Sequence, residues 1–445
     1  MLKLKDLIKT KKAKIAILGL GYVGLPLAIE FAKKGFQVFG LDTEKQKVDL
    51  INQGKSYIED IKNEELSQIL EERNFKATQD YNILGGVDII IICVPTPLTI
   101  HREPDISYIQ DASQEIAKHL DAKRPSENAK RSLKREQLII LESTTYPGTT
   151  EEVILPILES TGLRVGQDFF LAFSPERVDP GNKKYKISDI PKVVGGIDKN
   201  STDLASMLYQ NITKEIVPVS SPKVAEMSKL LENIFRIVNI SMINEMTLLC
   251  DRMKIDIWEV IQAAKTKPYG FMPFYPSPGA GGHCIPIDPF YLSWKAKEYG
   301  FWSRFVELAG QINEQMPHFV VTKIAYALNQ HKKSLNGSKI LVLGVAYKKD
   351  VSDTRESPAL KIIKELLHKK ANVIYNDPYV SKIVIDGQVL KSQMMDDDLL
   401  KGVDLVLILT DHSVYDFEHI SRMSPLIVDT RNAIKKRNVK NVYRL

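Results

Sequence analysis

The chain has 445 residues, 44% of them hydrophobic and 26% charged, the balance of a globular protein that folds in water. At about 150 residues per domain, that length predicts roughly three domains. A net charge of +6 suits anionic small molecules, whereas nucleic acid would call for a concentrated basic face. The one dense basic stretch, Lys123 to Arg135 within the loop 121–136, is broken by Pro125, Ser126, Glu127 and Asn128 and reads as a solvated loop. No apolar run reaches the roughly 18 residues that span a bilayer, and the basic start (Met1 to Lys14) has no apolar signal segment. A cytoplasmic protein with no membrane and no nucleic-acid partner is therefore expected. Cysteines at 93, 250 and 284 lack close spacing and fit a reducing compartment.

Taken in order, the apolar runs Lys14–Leu18, Gln37–Leu41, Val87–Val94, Gln137–Leu141 and Phe169–Phe173 predict strands. Amphipathic stretches such as Val23–Lys34 and Ile106–Leu120 lie between them and predict helices. Continuous apolar strands alternating with helices imply a parallel sheet covered on both faces. From about Pro218 to Gln330 strand patterning stops. Ser221-Pro222 is a helix start, and no breaker follows until about Met253, so the helix would be about 48 Å long at 1.5 Å per residue. That length predicts a bridge between domains or a dimer interface. Ser303–Gln330 predicts a second long helix, kinked at Pro317. Lys339-Ile340-Leu341-Val342-Leu343-Gly344 then echoes Lys14-Ile15-Ala16-Ile17-Leu18-Gly19, and further strands and a helix starting at Ser357-Pro358 follow. The expected α/β fold is thus two Rossmann-like, doubly wound parallel-sheet domains (1–217 and 331–445) joined by a helical central domain (218–330).

Gly19-Leu20-Gly21-Tyr22-Val23-Gly24 follows a strand and opens a helix, and Asp42 ends the next strand. Gly19 makes the tight turn, Gly21 lets the backbone approach a pyrophosphate, and Gly24 allows close helix–strand packing. The helix N-terminus holds the diphosphate, and a carboxylate at Asp42 accepts the ribose hydroxyls and repels a 2′-phosphate. NAD is the predicted cofactor. Gly344-Val345-Ala346-Tyr347 lacks the later glycines and is not expected to hold a dinucleotide.

Gly279-Ala280-Gly281-Gly282-His283-Cys284-Ile285-Pro286-Ile287-Asp288-Pro289 sets one cysteine in a glycine-rich loop that leaves room for a substrate. A thiolate is a strong nucleophile, but a buried structural thiol remains open on these residues alone. A metal reading of His283-Cys284 fails for want of further ligands. Cys93 reads as strand core and Cys250 as helix core. Asp288 is read either as a helix cap or as a catalytic carboxylate. Lys229 and Asn233, one helical turn apart, share a face; the lysine either snorkels or steadies a developing oxyanion. Glu142 to Gly148 and Ser174 to Arg177 follow strands at the sheet edge where ligands bind.

These residues together resemble the UDP-glucose/GDP-mannose dehydrogenase family, which oxidises a sugar 6-hydroxyl to a carboxylate with two NAD. The likeness runs from about Lys14 to Asn432, through Gly19 to Gly24, Glu142 to Pro147, Ser174 to Glu176, Lys229 to Asn233, Gly281 to Asp288 and Tyr347 to Ser357. Lys267 to Pro276 looks most like the branch acting on UDP-N-acetylglucosamine. The resemblance implies Cys284 as nucleophile, with Lys229, Asn233, Asp288, Thr145 and Glu176 as catalytic partners. It implies NAD contacts from Gly19, Gly21, Tyr22, Val23, Gly24, Asp42, Pro95, Thr96, Thr145 and Arg355. Sugar-nucleotide contacts would come from Glu176, Arg177, Lys229, Asn233, Phe274, Tyr275, Gly281, Lys348 and Arg431, and the C-terminal domain would bind the UDP-sugar. From the length of the long helix, a homodimer through it is expected. UDP-glucose enzymes carry a second acid in the loop after Glu176, where this chain reads Arg177-Val178-Asp179-Pro180, and they and the UDP-N-acetylmannosamine enzymes tend to have an arginine where it has Phe274 and Tyr275. A UDP-N-acetylhexosamine is therefore the expected substrate, its uronate feeding a surface polysaccharide. The rival readings are a β-hydroxyacid dehydrogenase, making one NADH per substrate, and a non-catalytic NAD-binding regulator, making none.

Overall fold

The computed structural model describes residues 3–58, 61–99, 101, 103–121, 136–178, 185–282, 285–437 and 439–445. His283, Cys284, Pro180 and nearly all of the loop 121–136 lie outside them. The chain divides into two compact units: Met1–Glu232 with Trp294–Gly300, and Asn233–Ser293 with Phe301–Leu445.

The first unit is built on strands β1 (Lys14–Leu18), β2 (Gln37–Leu41), β3 (Phe75–Thr78) and β4 (Ile89–Ile92). It continues with β5 (Gln137–Leu141), β6 (Phe169–Phe173), β7 (Lys192–Gly196) and β8 (Ile216–Val219). Their order is β3-β2-β1-β4-β5-β6-β7-β8. Four consecutive isoleucines make β4, all buried, because helices cover both faces of the sheet. Strand order reverses between β1 and β4, and the crevice at the carboxyl ends there is where open α/β sheets bind ligands.

One pairing departs from the expected parallel pattern. Among the described residues between β6 and β7 there is no crossover helix, and the two strands run antiparallel, with Ala172 opposite Gly196 and Phe173 opposite Gly195. The predicted strands correspond to β1, β2, β4, β5 and β6, whereas β3, β7 and β8 were overlooked. Those three are short, and β7 ends in two glycines while β8 carries a proline, which only an edge strand accommodates. β8 runs past the expected domain break at 217.

In the second unit, β9 (Lys339–Leu343), β10 (Asn372–Asn376), the hairpin β11 (Lys382–Ile385) and β12 (Gln388–Lys391), β13 (Leu405–Ile408), β14 (Ile427–Asp429) and β15 (Val442–Arg444) follow one another. Five of them form a parallel sheet, β10-β9-β13-β14-β15. Ser357 caps the helix Pro358–His368 by accepting the amide of Ala359, as Ser-Pro at a helix start predicts. The helix Arg304–Gln330 continues through Pro317. The long helix, Pro222–Met253, has 32 residues. Among the described residues, no helix is long and apolar enough to cross a membrane.

Candidate active site

The glycine turn after β1 has the shape a dinucleotide needs. Gly19 takes φ +92, and a Cβ there would lie 2.5 Å from the carbonyl oxygen of Cys93. A Cβ on Gly24 would lie 1.9 Å from the oxygen of Gly19, whereas one on Gly21 would meet nothing within 4 Å. The outer two glycines are thus forced by packing, and the middle one leaves open space for a phosphate. Asp42 accepts the amides of Leu20 (3.0 Å) and Glu44 (2.9 Å), one on each oxygen. A carboxylate offers about four acceptor positions, so two remain for the ribose hydroxyls. Val23 immediately precedes the helix Gly24–Lys33, and Tyr22 beside it is 40% exposed. Pro95 is exposed and Thr96 buried, just past β4. The turn at Gly344 differs, because the amides of Val345 and Ala346 both donate to Asp377.

After β5 the chain enters the Thr145 loop. The Thr149 hydroxyl donates to the carbonyl of Tyr146 (2.9 Å), so Thr145 donates to Thr149 across 2.5 Å and keeps its lone pairs as acceptors. Glu226, on the long helix, clasps this loop: it accepts the amides of Gly148 (2.6 Å) and Thr150 (3.0 Å) and the hydroxyl of Thr150 (2.7 Å).

Glu176 follows β6. Its Oε1 accepts the amides of Arg177 (2.7 Å) and Val178 (2.6 Å), and its Oε2 faces the Lys192 ammonium at 3.3 Å. Burial works against its charge, but Lys192, these amides and Lys229 outweigh it and hold the carboxyl below the usual range. Arg177 is turned elsewhere, pairing with Glu232 at 2.7 Å and donating to the carbonyl of Pro191.

Cys93 is buried, and burial together with the Glu142 charge pushes its thiol up, which suits an inert core position. Cys250 is half-buried and packs on a small cluster of Ile243, Ile257, Trp258 and Ile261.

Lys229 is only 7% exposed, and among the described residues no hydrogen bond or ion pair engages its ammonium. One turn on, in the second unit, Asn233 is fully buried. Its amide nitrogen donates to Asp288 (2.5 Å), and Arg236 donates to its oxygen. Asp288 heads the helix Asp288–Ala296, so the carboxylate occupies the cap region while bonding a side chain.

The cysteine loop corrects one expectation. Gly282 takes φ +89, and a Cβ on it would lie 2.8 Å from the Tyr347 ring; one on Gly281 would lie 2.8 Å from the carbonyl oxygen of Glu356. The space beside these glycines is filled by the chain itself, not left for substrate. Phe274 sits edge-on to Phe235 at 5.8 Å, and Tyr275 stacks on Trp258 at 6.2 Å. Arg355 pairs with Asp353 (2.6 Å), and Arg431 donates to the carbonyl of Leu409. Lys348 follows Tyr347 on the same loop.

Sequence reasoning overlooked Glu226, Lys192, Tyr209 and Arg236, and took Glu142 only as the start of a hydroxyl-bearing loop. Glu226 and Arg236 had a signal, lying three residues before Lys229 and three after Asn233 on one helix. Lys192 and Tyr209 had none.

A doubly wound sheet whose first turn is shaped for a pyrophosphate, followed by an acid for the ribose, defines an NAD-binding Rossmann oxidoreductase. Models of the UDP-glucose/GDP-mannose dehydrogenase family match the chain over residues 13–213 (NAD binding domain), 223–315 (central domain) and 341–436 (UDP binding domain), and the chain belongs to that family. It is similar to the UDP-N-acetyl-D-mannosamine dehydrogenase of Pyrococcus horikoshii, at 36% identity over 97% of this chain and 98% of that one. Against the UDP-N-acetyl-D-glucosamine 6-dehydrogenase of Pseudomonas aeruginosa the identity is also 36%, over 83% and 84%. A solved structure of the UDP-D-ManNAc dehydrogenase from Pyrococcus horikoshii superposes with a TM-score of 0.85 at 35% identity, covering 97% of this chain and 98% of that one. The chain is an NAD-dependent nucleotide-sugar dehydrogenase.

Proposed function

We propose that the chain oxidises the 6-hydroxyl of a UDP-N-acetylhexosamine, UDP-N-acetylglucosamine in particular, to the uronate in two oxidations, with Cys284 as nucleophile. The observation that carries the reading is the buried Lys229 ammonium, which no hydrogen bond or ion pair engages among the described residues, one helical turn before Asn233, whose amide is tied to Asp288. Relatives named for UDP-N-acetyl sugars support the substrate class.

The Gly19–Gly24 turn and Asp42 would hold NAD, which would supply the hydride acceptor for both oxidations. The first removes a hydride from carbon 6 and releases the hydroxyl proton to water, leaving an aldehyde. The Cys284 thiolate adds to that carbon, a carbon–sulfur bond forms, and the carbonyl oxygen takes a proton to give a thiohemiacetal. Lys229 and the second amide hydrogen of Asn233 stabilise the charge on that oxygen as it develops. Loss of a second hydride and of the hydroxyl proton gives a thioester. Water adds to the acyl carbon, the carbon–sulfur bond breaks, the thiolate leaves, and the water's protons are released with the uronate. Asp288 and the Thr145 lone pairs accept the water's two hydrogens and so orient it, with the Glu176 anion assisting. Lys348 and Arg431 bind the nucleotide diphosphate, while Arg355 assists at the cofactor. Phe274 and Tyr275 shape the sugar site. A second copy of the chain covers the long helix, making a homodimer, and the uronate enters a surface polysaccharide.

UDP-N-acetylmannosamine is the second reading, favoured by the relative matched over 97% of this chain. Rates with UDP-N-acetylglucosamine, UDP-N-acetylmannosamine, UDP-N-acetylgalactosamine and UDP-glucose decide between them, and NADH should appear at two per sugar. Fastest turnover of UDP-glucose, or one NADH per sugar, would reject the proposal.

A further inference from the structure

Behind Glu176 lies a buried charge cluster that the reaction scheme does not use. Lys192 donates to Glu142 Oε2 at 2.8 Å and to Glu176 Oε2 at 3.3 Å. The second oxygen of Glu142 accepts the Tyr209 hydroxyl, and the Lys192 ammonium sits 4.9 Å above the Tyr209 ring. Glu142 is 1% exposed, Tyr209 is fully buried and Lys192 is 8% exposed.

The reversed strand explains how these groups meet. Because β7 runs antiparallel to β6, its first residue falls at the carboxyl edge of the sheet, where β5 and β6 end. Carrying the Phe173–Gly195 register three residues further sets Lys192 opposite Glu176. A parallel β7 would have begun at the other edge, away from the ligand crevice.

We infer that Lys192, anchored by Glu142 and Tyr209, is a positioning residue that fixes the direction of the Glu176 carboxylate and keeps it an anion. The inference rests on the proposed role of Glu176. Two buried carboxylates share one ammonium, so the pair has one negative charge to spare and takes a proton more readily than either would alone. The two ends differ. Glu176 has two backbone amides on Oε1 and the Lys229 charge nearby, all favouring its anion. Glu142 has only Lys192 and Tyr209, and burial pushes its carboxyl up to about 7. The proton therefore goes to Glu142, and Glu176 stays charged. Among the described residues the remaining titratable neighbours are Cys93 and Tyr209, which burial holds as a thiol and a phenol. Arg177, next in sequence, is committed to Glu232.

The test is kcat against pH, with KM for NAD measured alongside, for Lys192→Met, Lys192→Arg, Glu142→Gln, the double variant K192M/E142Q, and Glu176→Gln. An opposite charge at this range lowers a carboxylate's pKa by about 1–3 units, so K192M should move the acid limb of kcat up by about one pH unit or more. KM for NAD should stay within about twofold, since a shift of that kind acts on the anion and not on cofactor binding. K192R should bring the limb back, and E142Q should not raise it. If K192M leaves too much buried negative charge to fold, K192M/E142Q removes the excess and should show the same upward shift. Lower kcat at every pH with an unmoved limb in K192M and in the double variant would overturn the inference. So would an E142Q limb raised as far as that of K192M. Undiminished activity in E176Q would instead reject the proposed role of Glu176, which separates the two failures.

Discussion

The Glu226 carboxylate is fully buried and accepts three hydrogen bonds, two from amides of the Thr145 loop and one from the Thr150 hydroxyl. A glutamine there offers one oxygen and turns an NH2 toward a donor, leaving an amide unpaired at a cost of about 1–3 kcal/mol. Glu226→Gln should lower the denaturant midpoint accordingly with an unchanged slope, and should slow turnover because the Thr145 loop loosens. An unaltered midpoint would show that the clasp contributes nothing. Glu142 allows a pH test with a definite sign. Its folded-state pKa is raised from 4.5 to about 7, so between those values the native chain keeps a proton that the unfolded chain has released. Stability from this group therefore falls as pH rises through that window. Unfolding free energies at about pH 5 and pH 7 should show wild type losing ground to Glu142→Gln; a constant gap would contradict the assignment. The glycine fingerprint and Asp42 were legible because backbone geometry dictates those residue types. Lys192 was not, since its partners lie 50 and 16 residues away and no local pattern marks a buried ion pair.

Ser221-Pro222 and the unbroken run to Met253 predicted the long helix correctly, because caps and breakers act locally. β7 escaped notice altogether, because Lys192-Val193-Val194-Gly195-Gly196 has only two large apolar residues, and even a recognised strand says nothing of which way it runs. The spaces beside Gly281 and Gly282 were misread because a glycine is equally consistent with a near ligand and a near ring. The long helix also carries an exposed apolar row, Leu231, Phe235, Met242, Met246, Leu249 and Met253, at spacings of three, four and seven. Such a row on one helix suits the self-complementary contact of a two-fold dimer, in which each copy meets the same patch of the other. Met246→Glu with Leu249→Glu should convert a dimer to a monomer in light scattering. A dimer that survives both charges would place the contact elsewhere.

At the scale of the molecule, two sheets were legible in the sequence because an apolar strand ending in glycine occurs twice, at Gly19 and at Gly344. The division after Glu232, and the return of Trp294–Gly300 to the first unit, were not. They depend on pairings such as the Trp294 ring 5.3 Å from Tyr146 and Lys295 bonded to Glu152 at 2.6 Å, which link residues over 140 positions apart. Cys284 remains the residue on which the proposed chemistry turns, because a thioester is what lets one chain carry an alcohol to an acid without releasing the aldehyde. The most direct measurement is the rate of uronate formation by Cys284→Ala, with NADH counted alongside. The account predicts a loss of about a thousandfold or more, as expected when a covalent nucleophile is removed. Uronate appearing at the wild-type rate, with two NADH per sugar, would contradict it.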